Sequence, residues 1–543
     1  MGVFLLFLFA VAAGLLWTAA CTAAAARMSG AWLKALLATV GAALPVIVVL
    51  PVVAATWWLA FGVRIPTNWF PQACTVLVSL LVGGGWIVWA GLTPRADGSV
   101  PAAGWRVIGL AAVCGIAAAV TAGVLLILDN AVVAQAVYLR LEAANLMRDN
   151  LPPIVADDAN AAALHLQAGA AIAADREFSA EGSPIHKPGD VLRDEATAFL
   201  ARHATTLDIV RQAADRDACR FTRDWSRPSI DMILAEVQAL RSEARLLALA
   251  ARRATAEGRH ADALADIARI HRLGRHAAAE PILVSYLVGV ALDRMALEEL
   301  VGLLPRLGAD DAPLLELPEV RELVGPPFDL LPALYGEEAF GLATFAGFAD
   351  GRATSGELEG LVPSADACTI GNAGPIFRVF FLEGDIAGYR RLMHGFQQLA
   401  AGRGEAANQA ETIRQAVSLG HRLAEGQGVL SRLLLPALEQ AFLSRGRAES
   451  AHRATAALVA ATRQRLQAGV LPVGSREFTG TPPYALPADP FAEGGKPLVM
   501  QRVDSGLAAY SVGPDGEDDG GPVPVDEEAD EGNDDVGFVM VVE

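Results

Sequence analysis

The sequence predicts a mainly α-helical membrane protein in three parts. A four-helix transmembrane bundle spans residues 1–130, an α-helical domain spans 131–470, and a small C-terminal β-meander with an acidic tail spans 471–543. Three observations carry this reading. The first 128 residues hold only six charged side chains, one of them acidic (Asp97). From Ala131 to Gly469, long proline-free runs place apolar residues at three- and four-residue steps. Beyond that, short apolar runs alternate with Gly, Pro and Asp, the pattern of strands joined by turns.

The membrane block comes first in the chain. Val3–Ala26, Ala35–Phe61, Gln72–Leu92 and Val107–Leu128 are each long enough to cross a bilayer, which takes about 20 helical residues. Pro45 and Pro51 predict a kink or tilt in the second stretch. Trp17, Trp32, Trp57, Trp58, Trp69, Trp86, Trp89 and Trp105 fall mostly near the ends of the stretches, where indole rings favour the headgroup region. Arg27 and Lys34 lie in the first loop and Arg95 and Arg106 in the third, while the second loop has only Arg64. Basic loops stay on the cytoplasmic side, so both termini and the large domain are expected outside the inner membrane. The stretches hold no Asp, Glu, Lys, Arg or His. Pumps and ion-coupled transporters usually need such groups within the membrane, so an anchor is the expected role.

The helical middle follows. Ile230, Ile233, Leu234, Val237, Leu240, Ala244 and Leu247 mark one buried helix face. Ala248 to Glu280 reads as two helices around a Glu257-Gly258 turn, with Ala261, Ala263, Leu264, Ile267 and Ile270 in the second. That pair resembles a tetratricopeptide unit, but a stable array needs three or more copies, and a plain helical hairpin fits as well. Later helices are predicted over Ile376–Ala401, Glu405–Glu425, Leu430–Leu443 and Ala448–Gln467.

Catalytic patterns are scarce. The nine histidines are scattered, with no His-Glu-x-x-His pairing. His271 and His276 are five residues apart and do not align on one helix face. Glu298 and Glu299 read as part of a solvated face. Cys219 and Cys368 are the two cysteines beyond the membrane block, and outside the cell they could form a disulfide. The net charge is −18, of which −12 falls in residues 514–543. A field of that sign repels nucleic acid, so no nucleic-acid partner is expected.

The carboxyl end carries the most specific local pattern. Ala485-Leu486-Pro487-Ala488-Asp489-Pro490-Phe491 is followed by Gly494-Gly495-Lys496-Pro497-Leu498, then by apolar alternation through Val499 and Val503. Next comes Ala509-Tyr510-Ser511-Val512-Gly513-Pro514-Asp515-Gly516. This reads as a β-meander with an acidic loop after its last strand, and residues 521–533 read as a flexible acidic linker. At these residues the chain resembles the globular end of type II secretion major pseudopilins. As a whole it resembles bacterial multi-pass membrane proteins with a helical domain. The pseudopilin resemblance implies calcium at Asp515 and at Asp534 or Asp535, a hard cation wanting six to eight oxygens. The family's amino-terminal assembly signal is absent here.

These readings converge on an expected function: a non-enzymatic, membrane-anchored envelope protein that scaffolds or binds other proteins, with a place near a secretion system suggested by the pseudopilin resemblance, and with no cofactor except calcium. Two alternatives stay open. One is a transporter or channel component gated by the soluble domain. The other is an enzyme whose site assembles from distant residues of the helical domain.

Overall fold

The computed structural model of the chain describes residues 132, 134–179, 183–186, 194–226, 235–350, 382–402, 409–424, 436–469, 486–503, 506–522 and 533–541. The predicted transmembrane stretches and Cys368 lie outside these residues. Among the described residues no helix is long and apolar enough to cross a membrane. The described chain is mainly helical with one small antiparallel sheet.

Two units divide the chain. The first comprises residues 1–141, 344–388 and 428–433. Within it, Arg140 pairs with Asp350 and also donates to the Ala346 carbonyl. The second comprises residues 142–343, 389–427 and 434–543, so the sheet belongs to the same unit as the central helices.

The helices run in chain order as α1 (134–150), α2 (Ala162–Ala174), α3 (Arg176–Ser179), α4 (Asp194–Arg202), α5 (Ala204–Ala214), α6 (Ala235–Ala256) and α7 (His260–Ala278). After them come α8 (Leu283–Leu303), α9 (Pro318–Leu323), α10 (Leu331–Ala349), α11 (Leu382–Ala401), α12 (Gln409–Ala424) and α13 (Pro436–Ala468). The predicted turn at Glu257-Gly258 is present. Gly258 takes φ 74°, and this left-handed step lets the Arg259 N–H return to the Ala254 carbonyl at 2.8 Å. A glycine reaches that conformation without the Cβ penalty other residues meet. The chain therefore reverses in three residues, and α7 packs back along α6.

One apolar core joins the central helices. Leu240 and Leu247 of α6, Leu264, Ile267 and Ile270 of α7, and Leu292 and Leu300 of α8 are buried together with Leu458 of α13. Two helices approach closely where they carry glycine. A Cβ on Gly289 of α8 would lie 2.7 Å from the Gly274 carbonyl oxygen of α7, and one on Gly274 would lie 2.8 Å from that of Gly289.

The carboxyl region departs from the prediction in two ways. Residues 436–468 form one continuous helix of 33 residues, where the sequence suggested two. Gly446 lies inside it as a packing contact, since a Cβ there would meet the Phe491 ring at 2.6 Å and the Ile413 side chain at 2.7 Å. The sheet has order β1-β2-β3, from Val499–Val503, Gly506–Ser511 and Val536–Val541, all antiparallel. The acidic run thus lies between β2 and β3 and not after the last strand. Val536, Phe538 and Met540 are buried, and pairing Val536–Val541 along β2 satisfies the backbone of both strands. Leu507, Ala509, Phe538 and Met540 join the same core as α13, and the Thr462 hydroxyl of α13, which donates to the Leu458 carbonyl at 2.9 Å, touches the Met540 sulfur at 3.4 Å.

Candidate metal centre

The histidines that look scattered in the sequence converge in the core. His165 lies on α2 between buried Ala162 and Ala168. His276 lies in the last turn of α7. Cys219 lies in the segment between α5 and α6, packed in a small cluster with Ala161, Ala162 and Phe221. All three are buried, with relative exposures of 0%, 1% and 3% respectively. One ring nitrogen of His165, one of His276 and the Cys219 Sγ lie within 4.8 Å of one another.

Asn160 holds the cysteine segment in place. Its side-chain oxygen accepts the Arg220 N–H at 2.9 Å and the Ala162 N–H at 3.1 Å, and its side-chain nitrogen donates to the Arg220 carbonyl at 2.9 Å. The Ala161 N–H donates to the Ala218 carbonyl at 2.9 Å. Cys219 is thereby tied to the start of α2, three to five residues from His165 along that segment's own hydrogen bonds. Nearby, the half-buried Arg223 pairs with the buried Glu236 and Glu280 and stands 5.8 Å from the Phe221 and Trp225 ring centres.

The ring protons follow from the partners. His276 Nε2 stands 2.9 Å from the Arg216 carbonyl oxygen, which can only accept, so Nε2 carries the proton. His276 Nδ1 is then a lone pair, aimed at His165 Nε2 at 3.0 Å. The second ring nitrogen of His165, Nδ1, stands 2.7 Å from Glu243 Oε2 of α6. Glu243 is fully buried and its Oε1 has no hydrogen-bond partner. Burial, and next the neighbouring His165, push the His276 pKa down to about 3. Burial, then the Glu280 and Glu243 carboxylates, push the Cys219 thiol well up. His165 Nε2 is therefore the donor in that 3.0 Å contact, so the site holds one imidazole lone pair, one N–H whose proton a cation would displace, and a thiol that stays protonated without a cation.

This donor set suits a borderline-soft ion such as Zn²⁺, bound by imidazole nitrogen and thiolate sulfur. Ligating histidines almost always donate their other ring N–H to a carboxylate or a backbone carbonyl. Both do so here, His165 to Glu243 and His276 to Arg216. Two nitrogens each about 2.0–2.1 Å from a tetrahedral ion stand about 3.3 Å apart, so the rings need only separate by a few tenths of an ångström.

A second histidine network lies on the same helix. Asp293 of α8 accepts from His271 Nδ1 of α7 at 2.6 Å and from His452 Nε2 of α13 at 2.5 Å. Burial alone would raise the Asp293 carboxyl, but those two hydrogen bonds outweigh it and hold the group below the usual carboxylate range. This network ties three helices together. The five-residue step separates the roles: His271 serves this clamp and His276 the other cluster.

The sequence-derived site residues fare differently. Cys219 forms no disulfide with any described residue, and its suggested mate Cys368 lies outside them. Asp515 is exposed and accepts the Glu517 N–H through Oδ1 at 3.1 Å. Asp535 Oδ2 accepts the Gly521 N–H at 2.7 Å, and the Asp534 N–H donates to Asp519. Asp534 and Asp535 thus meet the near end of the acidic loop, but neither they nor Asp515 are among the described groups whose ligand atoms converge. Asp489 of the Asp-Pro motif is buried and structural, accepting from Ser511 Oγ and from the Val512 and Phe491 N–H groups. Glu299, predicted on a solvated face, is instead buried and paired with Arg252, while Glu298 pairs with Arg294 near the surface. Its carboxyl is raised by burial, with Arg252 opposing the shift.

Compared with protein-family models, with curated proteins and with solved structures, the chain matches none.

Proposed function

We propose that this chain is a membrane-anchored envelope protein whose helical domain is a scaffold built around a buried zinc-type ion. The anchor is the charge-poor block of the first 128 residues, and the loop charges orient the helical domain away from the cytoplasm. Its partners are the membrane and other proteins, not nucleic acid. The observation that carries the metal is the matched support of the two histidines. Their inner nitrogens, His165 Nε2 and His276 Nδ1, lie 3.0 Å apart beside a buried thiol, close enough for one cation to replace the proton they share, while each far nitrogen has an acceptor. Closed sites are typical of structural metals, and catalytic ones keep an open position. All three donors are at least 97% buried, and that seclusion from bulk water, not a complete set of protein ligands, is what favours a structural ion in a scaffold.

One observation favours a second reading. Three protein donors leave a fourth tetrahedral position, and the unpartnered Glu243 Oε1 is the kind of group that activates a metal-bound water. Metal removal separates the two readings. A structural ion lowers the melting temperature when removed, and a catalytic ion abolishes hydrolysis with little change in melting.

Elemental analysis of the full chain, purified in detergent without chelator, tests the proposal. One equivalent of zinc is expected, and Cys219→Ser should lose most of it while keeping its helical circular dichroism. A zinc-free chain that cannot be loaded, or a folded Cys219→Ser variant with full zinc content, would contradict it.

A further inference from the structure

A second donor set lies apart from the buried cluster, at two helix junctions. Asp175 is the single residue between α2 and α3, and Glu177 lies in α3. His203 is the single residue between α4 and α5. Its ring is only 7% exposed and packs against Phe178 and Phe199, with centroids 4.5 and 4.4 Å away. Those contacts fix the ring, and they leave its Nε2 with no hydrogen-bond partner. A buried polar atom left in that state normally costs stability, so it calls for a missing partner.

That nitrogen faces two carboxylate oxygens, Asp175 Oδ2 and Glu177 Oε2, each at 3.6 Å. The separation is too long for an N–H···O bond, which spans about 2.7–3.2 Å. It is close to the spacing of about 3.0–3.5 Å between neighbouring ligands each held about 2.1–2.2 Å from one ion. One ligand atom from each of Asp175, Glu177 and His203 lies within 4.8 Å of the other two. The carboxylates are held by hydrogen bonds from their own surroundings. Asp175 Oδ1 accepts the Glu177 N–H at 2.8 Å. The Glu177 carboxylate takes both arms of the Arg202 guanidinium, with Nε to Oε2 at 3.2 Å. Arg202 offsets one of the two negative charges, so the set suits a divalent cation without a large charge excess.

We infer that Asp175, Glu177 and His203 form a second metal site, which takes a first-row divalent cation of the Mn²⁺ type. Two carboxylate oxygens and one imidazole nitrogen, with no thiolate, make a harder donor set than His165, Cys219 and His276. The carboxylates are half-buried while the histidine is buried, so the open side of the ion faces solvent and water completes the shell. The two sites therefore select different ions, a soft one in the core and a harder, exchangeable one at the helix junctions. This inference does not depend on the buried site being occupied.

Mn²⁺ titration of the full detergent-solubilised chain, followed by loss of the free Mn²⁺ paramagnetic resonance signal, tests it. One saturable site is expected. Asp175→Asn and His203→Gln should each weaken binding about tenfold or more, and Cys219→Ser should leave it unchanged. Asp175→Asn keeps the Asx contact to Glu177 and lies at a 40% exposed side chain, so it preserves the fold even if His203→Gln does not. No saturable binding by the folded chain would overturn the inference. So would binding that survives Asp175→Asn, or binding that Cys219→Ser removes.

Discussion

His276 shows how much a single ring can report. Burial and the adjacent His165 lower its pKa to about 3, below the unfolded value of about 6.5. Between those values the unfolded chain binds a proton that the folded chain refuses. The contribution to stability is therefore fully present above about pH 6.5 and is lost as pH falls towards 3, at about 1.4 kcal/mol per pH unit. In metal-free protein, His276→Gln should flatten the slope of unfolding free energy against pH by about one proton, as read from denaturant melts between about pH 4 and 6. An unchanged slope would mean that His276 titrates normally. None of this was legible at the residue scale in the sequence. His165 and His276 are 111 residues apart, and only the packing of both α2 and α7 against α6 brings them together. The signal that was available is a histidine set among buried alanines on α2 and a lone cysteine in a polar segment, and such signals usually mark ordinary core residues.

At the scale of elements, most of the helical layout was legible because burial repeats with the helical period. The α6–α7 hairpin was readable from its Glu257-Gly258 turn, which only a glycine closes cheaply. Three features escaped for physical reasons. Gly446 looks like a helix break in sequence, but it makes room for Phe491 and Ile413. The strand Val536–Val541 follows an acidic run, and its partner β2 lies across that run. Glu299 is drawn into the core by Arg252, a pairing across 47 residues. The α7–α8 contact offers a direct check on packing. Gly289→Val would drive side-chain atoms into the Gly274 carbonyl and the Ala278 side chain. We expect a loss of about 1–3 kcal/mol, the usual cost of overpacking, measurable by urea denaturation. A neutral substitution would mean that the two helices can separate freely.

At the scale of the whole molecule, the sequence speaks to location and the fold speaks to chemistry. The charge-poor block and its asymmetric loops predict that a reporter active only in the cytoplasm is silent when fused after Glu543, and that a reporter active only outside works there. The opposite pair of results would reverse the orientation. The helical unit adds what composition could not supply, a buried set of two imidazoles and one thiol held by α2, α7 and the segment between α5 and α6. The central claim is that this set binds a tetrahedral, thiolate-ligated ion. Cobalt substitution reads that claim most directly. Loading the metal-free full chain with one equivalent of Co²⁺ should give the strong visible absorption of a tetrahedral ion together with a thiolate-to-cobalt charge-transfer band, and Cys219→Ser should remove the band. Weak octahedral absorption alone, or a charge-transfer band that persists in Cys219→Ser, would contradict it.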